Sequence, residues 1–177
     1  MTELRVVTTD ADYASWAEIK SRVAPDEPVS AEQVKASDED GRLLLLASVD
    51  GIDVGCGIGV PSGFAGRTFL MARVLPEHRR RGTGTELVRA LCDHARALGR
   101  EGINAFVDAP DLGSLAFAER LGLREVDYQL HQVRTVGDEP APSLRGIDLV
   151  PLGERREELL QEAWPMALRA YADVPVP

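Results

Sequence analysis

The run Val74-Leu75-Pro76-Glu77-His78-Arg79-Arg80-Arg81-Gly82-Thr83-Gly84-Thr85 limits the folds open to this chain more than any other segment. Before it lies a strand-like stretch, Thr68 to Val74. After it comes a helix-like stretch, Glu86 to Leu98, in which Leu87, Leu91, Ala95 and Leu98 recur at helical spacing and Gly99 is placed to end the helix. A strand that passes through a glycine-rich turn into a helix presents unpaired amides to an anion at the positive end of the helix dipole. Gly82 and Gly84 allow close approach of that anion, and Arg79, Arg80 and Arg81 add positive charge beside it. The pattern predicts a pyrophosphate site formed by Arg79 to Thr85. It is not a P-loop, because the spacing GxxxxGK[ST] is absent. Nor is it a dinucleotide fingerprint, because Leu87 stands where the third glycine belongs.

The flanking sequence predicts alternating elements. Leu4 to Val7 reads as a strand. Asp10 is placed to cap a helix carrying Tyr13, Trp16, Ala17, Ile19 and Val23, which should stop near Pro25. Ser30 and Gln33 have capping-box spacing ahead of a short helix from Ala31 to about Ser37. Leu43 to Val49 and Ile52 to Val60 flank Asp50-Gly51, the signature of a tight antiparallel hairpin. Gly55, Gly57 and Gly59 alternate on one face of the second strand, where either a tightly packed helix or a ligand would fit. Ile103 to Val107 returns to strand, Ser114 to Leu121 forms a helix ended by Gly122, and Leu123 to Val136 alternates as one bent strand or two short ones. The order implies an α/β architecture with a mixed, partly parallel sheet covered by helices on both faces.

From Gly137 the composition shifts to Gly, Asp, Glu, Pro and Ala, so residues 137–145 read as a linker after a domain of residues 1–136. Within residues 146–177, Ile147 to Leu152 reads as a strand. Glu154 to Ala172 reads as a helix with Leu159, Leu160, Ala163, Trp164, Ala167, Leu168 and Tyr171 on one stripe, kinked at Pro165. This strand and helix echo the start of the chain. They fit either the opening of a second copy of the domain or an arm packing on the first domain or on a second subunit of a homodimer.

Charge narrows the function. With 29 acidic against 20 basic side chains, a net charge of -9, the chain is poorly matched to nucleic acid or anionic membranes and better matched to amine partners. Cys56 and Cys92 lack CxxC spacing, and His78, His94 and His131 are scattered, so neither a metal site nor a disulfide framework is expected. The cysteine usage and the lack of a signal-like N-terminus point to the cytoplasm.

The stretch Arg79-Arg80-Arg81-Gly82-Thr83-Gly84, following Val74-Leu75-Pro76, resembles the acetyl-coenzyme A motif of the GNAT superfamily of N-acetyltransferases, [Q/R]xxGxG/A after a strand ending in V-x-P. The likeness runs from about Leu4 to Val136, with Gly122-Leu123 similar to the family's "LGF" ending. It implies a GNAT-like splayed sheet with acetyl-CoA, the acyl donor, lying between the strands Thr68 to Val74 and Ile103 to Val107. Main-chain groups of Ala72, Arg73 and Val74 would hold the pantetheine arm, and an amine would attack the thioester directly.

The same likeness leaves the proton transfers open. It puts Ala118 where the family commonly has an acidic tyrosine and Asp111 where an asparagine often contacts the cofactor, and the fourth strand carries no glutamate. Asp108 is then the candidate base and Ser114 the candidate acid, against ordinary roles as turn former and surface helix residue. Tyr128 and His131 could reach the acceptor side. The loop Ala24 to Ser30, which borders the acceptor cleft in the family, carries Asp26 and Glu27 and would favour a cationic small molecule or peptide amine. The competing expectation is a non-catalytic acyl-CoA-binding or dimerisation module, half of a two-domain protein.

Overall fold

The computed structural model describes residues 1–37, 39–62, 66–129, 132, 135, 137, 138, 146, 153 and 156–171. Its residues group into two compact units, Met1–Gly122 and Leu123–Pro177.

The first unit is built on a five-stranded sheet in the order β1-β2-β3-β4-β5. The strands are β1 (Thr2–Val6), β2 (Leu43–Val49), β3 (Ile52–Pro61), β4 (Arg67–Val74) and β5 (Gly102–Asn104). The first four run antiparallel, and β5 joins β4 in parallel. The Asp50-Gly51 hairpin forms as expected, with both residues at positive φ (53° and 78°), the geometry its tight turn requires.

Helices cover both faces. On one side α1 (Asp10–Val23) and α2 (Ala31–Ala36) bury Trp16, Ala17, Ile19 and Val34 against Leu44, Leu46 and Cys56. On the other, α3 (Thr83–Ala97) buries Leu87, Val88 and Leu91 against Leu45, Ala47 and Leu70. The alternation of β2 therefore feeds two cores from one continuous aliphatic run, which is why Leu43 to Ala47 shows no polar period. The glycine stripe of β3 serves helix packing. A Cβ at Gly57 would lie 3.3 Å from both Leu87 and Leu91, and one at Gly59 3.3 Å from Leu91, so bare positions let α3 settle onto the strand. On the opposite face the Trp16 indole donates to the Gly57 carbonyl at 3.0 Å, fixing α1 to the same residue.

Several boundaries differ from expectation. Thr9, not Asp10, caps α1. Its hydroxyl accepts from the Asp12 amide and the Asp12 carboxylate accepts from the Thr9 amide, a capping box that places the N-cap one residue before Asp10. The Ser30–Gln33 box on α2 forms as expected. Helix α3 starts at Thr83 rather than Glu86, because the glycine at its N-cap can take the left-handed turn that launches it. The strand expected at Ile103 to Val107 shortens to Gly102–Asn104, since it finds a ladder partner only at Arg67–Phe69.

In the second unit α5 spans Arg156–Tyr171 with Pro165 inside it. Residues 123–129 carry no strand. Their charged and apolar side chains alternate, yet Val126 and Tyr128 are exposed, so no buried face exists to drive pairing there. Leu130, His131, residues 147–152 and several residues of 133–145 fall outside the described residues, and with them the strand expected at Ile147 to Leu152. Among the described residues no helix is long and apolar enough to cross a membrane.

Candidate active site

The site begins where the ladder between β4 and β5 stops. Beyond Phe69, β4 continues to Val74 without β5 beside it, leaving one edge open. Which peptide groups face that edge follows from strand alternation. Leu75 donates to Val54 of β3 at 2.9 Å, so Met71, Arg73 and Leu75 turn their main-chain groups toward β3. Ala72 and Val74 turn theirs toward the open edge. Of the three residues expected to hold a pantetheine arm, Ala72 and Val74 thus lie at the open edge, although the Val74 carbonyl is taken by Arg79, while the main chain of Arg73 faces its neighbouring strand.

After Val74 the chain forms a 3-10 turn at Pro76–His78, and Arg79 folds back so that its Nε donates to the Val74 carbonyl at 3.0 Å. Arg80 adopts φ 64°, unusual for a residue with a Cβ, and Gly82 adopts φ 91° as the N-cap of α3. No side chain caps that helix. Its first internal bond runs from the Glu86 amide to the Gly82 carbonyl, so the amides of Thr83, Gly84 and Thr85 have no partner within the helix. Nothing lies within 4 Å of where a Gly82 Cβ would stand. Arg80, Arg81 and Gly82 are exposed. The side chain of Thr83 turns inward, where it is buried and its hydroxyl meets that of Thr2 at 3.2 Å, so Thr83 offers a ligand its amide alone.

Helix α4 (Leu112–Arg120) closes the far side of the turn. Phe117 packs toward Gly84, whose Cβ position lies 3.5 Å from the ring. Asp111 caps α4: one carboxylate oxygen accepts from the Ser114 amide at 3.0 Å and the other from the Ser114 hydroxyl at 2.6 Å. These bonds, helped by the charge of Arg79, hold the Asp111 carboxyl below its ordinary range. Asp111 and Ser114 thus act on each other, and the charge of Arg79 reaches them. Asp108 is exposed in the loop between β5 and α4, where its carbonyl accepts from the Asp111 amide at 2.9 Å. Ala118 lies on α4 with no polar group to offer.

On the other face of β4 lies a cluster that the sequence did not indicate. Arg73 reaches Glu27 of the α1–α2 loop, Nη2 to Oε2 at 3.9 Å, and Lys20 of α1 lies 3.5 Å from the same oxygen. Glu27 is therefore shared between two cations of the chain. Only the period-two alternation of β4, which aligns Met71 with Arg73, hints at this in the sequence. The meeting with Glu27 depends on how α1 packs.

A mixed sheet whose β4–β5 ladder ends at Phe69, followed by an uncapped, arginine-flanked helix N-terminus, defines an open α/β fold with exposed amides at the end of its fourth strand. The acetyltransferase (GNAT) family model matches residues 9–123, and the chain belongs to that family. It is 39% identical over 107 residues to a mycothiol acetyltransferase from Brachybacterium faecium, a match covering 56% of this chain and 30% of that protein, so the chain matches less than a third of that relative's length. Among solved structures, the aminoglycoside 6'-N-acetyltransferase AAC(6')-Ih from Acinetobacter baumannii superposes with a TM-score of 0.63 at 20% identity, over 77% of this chain and 100% of that one. The ribosomal-protein-S18-alanine N-acetyltransferase from Escherichia coli gives a TM-score of 0.61 at 21% identity, over 72% and 80%. At such identities the likeness is one of fold.

Proposed function

We propose that this chain binds acetyl-CoA at the α3 N-terminus and transfers its acetyl group to a primary amine of a small molecule or peptide. The observation that carries this reading is the run of unpartnered amides at Thr83, Gly84 and Thr85 behind a left-handed glycine, set at the open edge of β4. Those amides, with Arg80 and Arg81, suit a pyrophosphate. The edge peptides of Ala72 and Val74 suit the amide-bearing arm that follows it. The mycothiol and ribosomal-protein-S18-alanine relatives are acetyltransferases, and family membership supports the same chemistry here.

In the reaction the amine nitrogen bonds to the thioester carbonyl carbon and the C–S bond breaks. The proton lost by the nitrogen balances the one gained by the departing thiolate. Asp108, exposed in the loop between β5 and α4, is the proposed base, acting directly or through water. Ser114 is the proposed donor to the thiolate, and its hydroxyl would have to leave Asp111 to act. That engaged hydroxyl, together with Ala118, supports the second reading: an acyl-CoA-binding module whose chemistry is completed by another part of a longer protein.

Calorimetric titration of acetyl-CoA tests the proposal, with Gly82→Asp and Gly82→Ala as companions. Alanine adds backbone strain alone and aspartate adds the same strain plus a negative charge at the amides. The reading expects saturable binding, weakened in Gly82→Ala and abolished in Gly82→Asp. Equal binding in all three would overturn it. Binding without acetyl transfer to any of a panel of amines would favour the module.

A further inference from the structure

The cluster on the α1 face of β4 has an unbalanced charge. Among the described residues, Lys20 and Arg73 contribute two cations, and Glu27 contributes the one carboxylate paired with them. Cys56, paired with Arg73 across the β3–β4 ladder, adds no negative charge, because burial pushes its thiol up to about 12. The cluster therefore carries a positive excess inside a protein whose net charge is -9.

Arg73 is also poorly satisfied. Its side chain is 26% exposed, so most of its water has been removed. In exchange it has one Nε bond to the Met71 thioether at 3.1 Å, a weak acceptor, and an ion pair with Glu27 at 3.9 Å that is too long for a hydrogen bond. Glu27 itself is 66% exposed on a loop and is held more closely by Lys20, whose ammonium also donates to the Glu27 carbonyl. A guanidinium fork whose terminal N–H groups make no hydrogen bond among the described residues, beside a second cation, is suited to a carboxylate bound through two parallel bonds. The neighbouring residues in β4, Ala72 and Val74, hold the edge proposed for the amide-bearing arm of the acyl donor, so a carboxylate on Arg73 would lie one strand position from that arm.

We infer that Arg73 is a specificity residue that binds a carboxylate carried by the amine acceptor, so that the acceptor class is an amino acid or a peptide with its carboxylate close to the reacting amine. This rests on the acetyltransferase reading above. Glu27 competes with the incoming carboxylate for Arg73 and, once displaced, is free to face the acceptor's ammonium.

The test compares acetylation of amine pairs that differ only in the carboxylate: L-phenylalanine against phenethylamine, L-lysine against cadaverine, alanyl-alanine against alanyl-alaninamide. Acetyl-CoA binding is measured on the same protein by calorimetry. The inference expects the carboxylated member of at least one pair to be preferred about tenfold or more in kcat/KM, through KM. Arg73→Gln should collapse that ratio, and Arg73→Lys should restore part of it. Glu27→Gln, a change on an exposed loop, should lower KM for the carboxylated member, an effect that a purely structural ion pair would not produce. Saturable acetyl-CoA binding and acetyl transfer with no preference in any pair, or transfer to the other amines but to none of the carboxylated ones, overturns the inference alone, whereas binding with no transfer to any amine overturns the acetyltransferase reading with it. Absence of acetyl-CoA binding overturns the reading beneath it as well.

Discussion

The Arg79 guanidinium donates to the Val74 carbonyl at 3.0 Å, joining the first arginine of the turn to the last residue of β4. Arg79, exposed like Arg80 and Arg81, therefore braces the edge of the strand. Three adjacent arginines that look equivalent in sequence hold different positions in the fold.

The bent backbone at Arg80 separates stability from binding. At φ 64° this residue pays the left-handed penalty that glycine avoids. Arg80→Gly should raise unfolding stability by about 0.5–1 kcal/mol while weakening acetyl-CoA binding several-fold. Denaturant melts and calorimetry on the one variant check both signs, and a destabilised Arg80→Gly protein would contradict the strain argument.

The glycine stripe of β3 should rank by what each new methyl meets. At Gly55 a Cβ would lie 3.1 Å from the Arg73 carbonyl and 3.2 Å from Leu87, and the backbone atom cannot yield without disturbing β4. At Gly59 its nearest neighbour is a Leu91 methyl at 3.3 Å, which can rotate. Gly55→Ala is expected to cost about 2 kcal/mol or more and Gly59→Ala about 1 kcal/mol or less, read from urea midpoints. The reverse order would refute the packing account.

Acid sensitivity should centre on Asp53. Its carboxylate accepts both terminal nitrogens of Arg5, at 2.5 and 2.6 Å, and the Ser15 hydroxyl at 2.6 Å, tying β3 to β1 and α1. The Arg5 bonds hold the folded-state pKa below its ordinary value. The resulting stabilisation is complete above the unfolded value near ~3.9 and is lost as pH falls through the folded one. Arg5 is partly exposed, so the contribution should be about 1 kcal/mol. Asp53→Asn should lower the thermal midpoint at pH 7 and flatten its fall between about pH 5 and pH 2. An unchanged acid slope would remove Asp53 from the explanation.

The two tryptophans should report on separate units. Trp16 is buried under α1 with its indole bonded to Gly57, whereas Trp164 on α5 is 62% exposed. Acrylamide should quench one emission class strongly and the other weakly, and Trp164→Phe should remove the strongly quenched class. Protection of Trp164 in the full chain would mean that something covers the apolar stripe of α5.

By itself, the order of residues determined the elements and their sequence along the chain. The Asp50-Gly51 turn, the Ser30–Gln33 box and the leucine repeat of α3 are local signals, set by backbone conformation and by side chains a few residues apart. The turn from Arg79 to Thr85 was legible for the same reason, since a glycine-rich passage from strand to helix carries its anion geometry within a dozen residues. Tertiary structure alone decided which peptide groups stay open and which charges meet. That β5 pairs only with Arg67–Phe69, that Gly55 to Gly59 serve α3 rather than a ligand, and that Lys20, Glu27 and Arg73 form one cluster all depend on distances between segments far apart in the chain. Hydrophobic burial on the two faces of β2 sets those distances. It acts through packed volume, which no short stretch of sequence encodes alone.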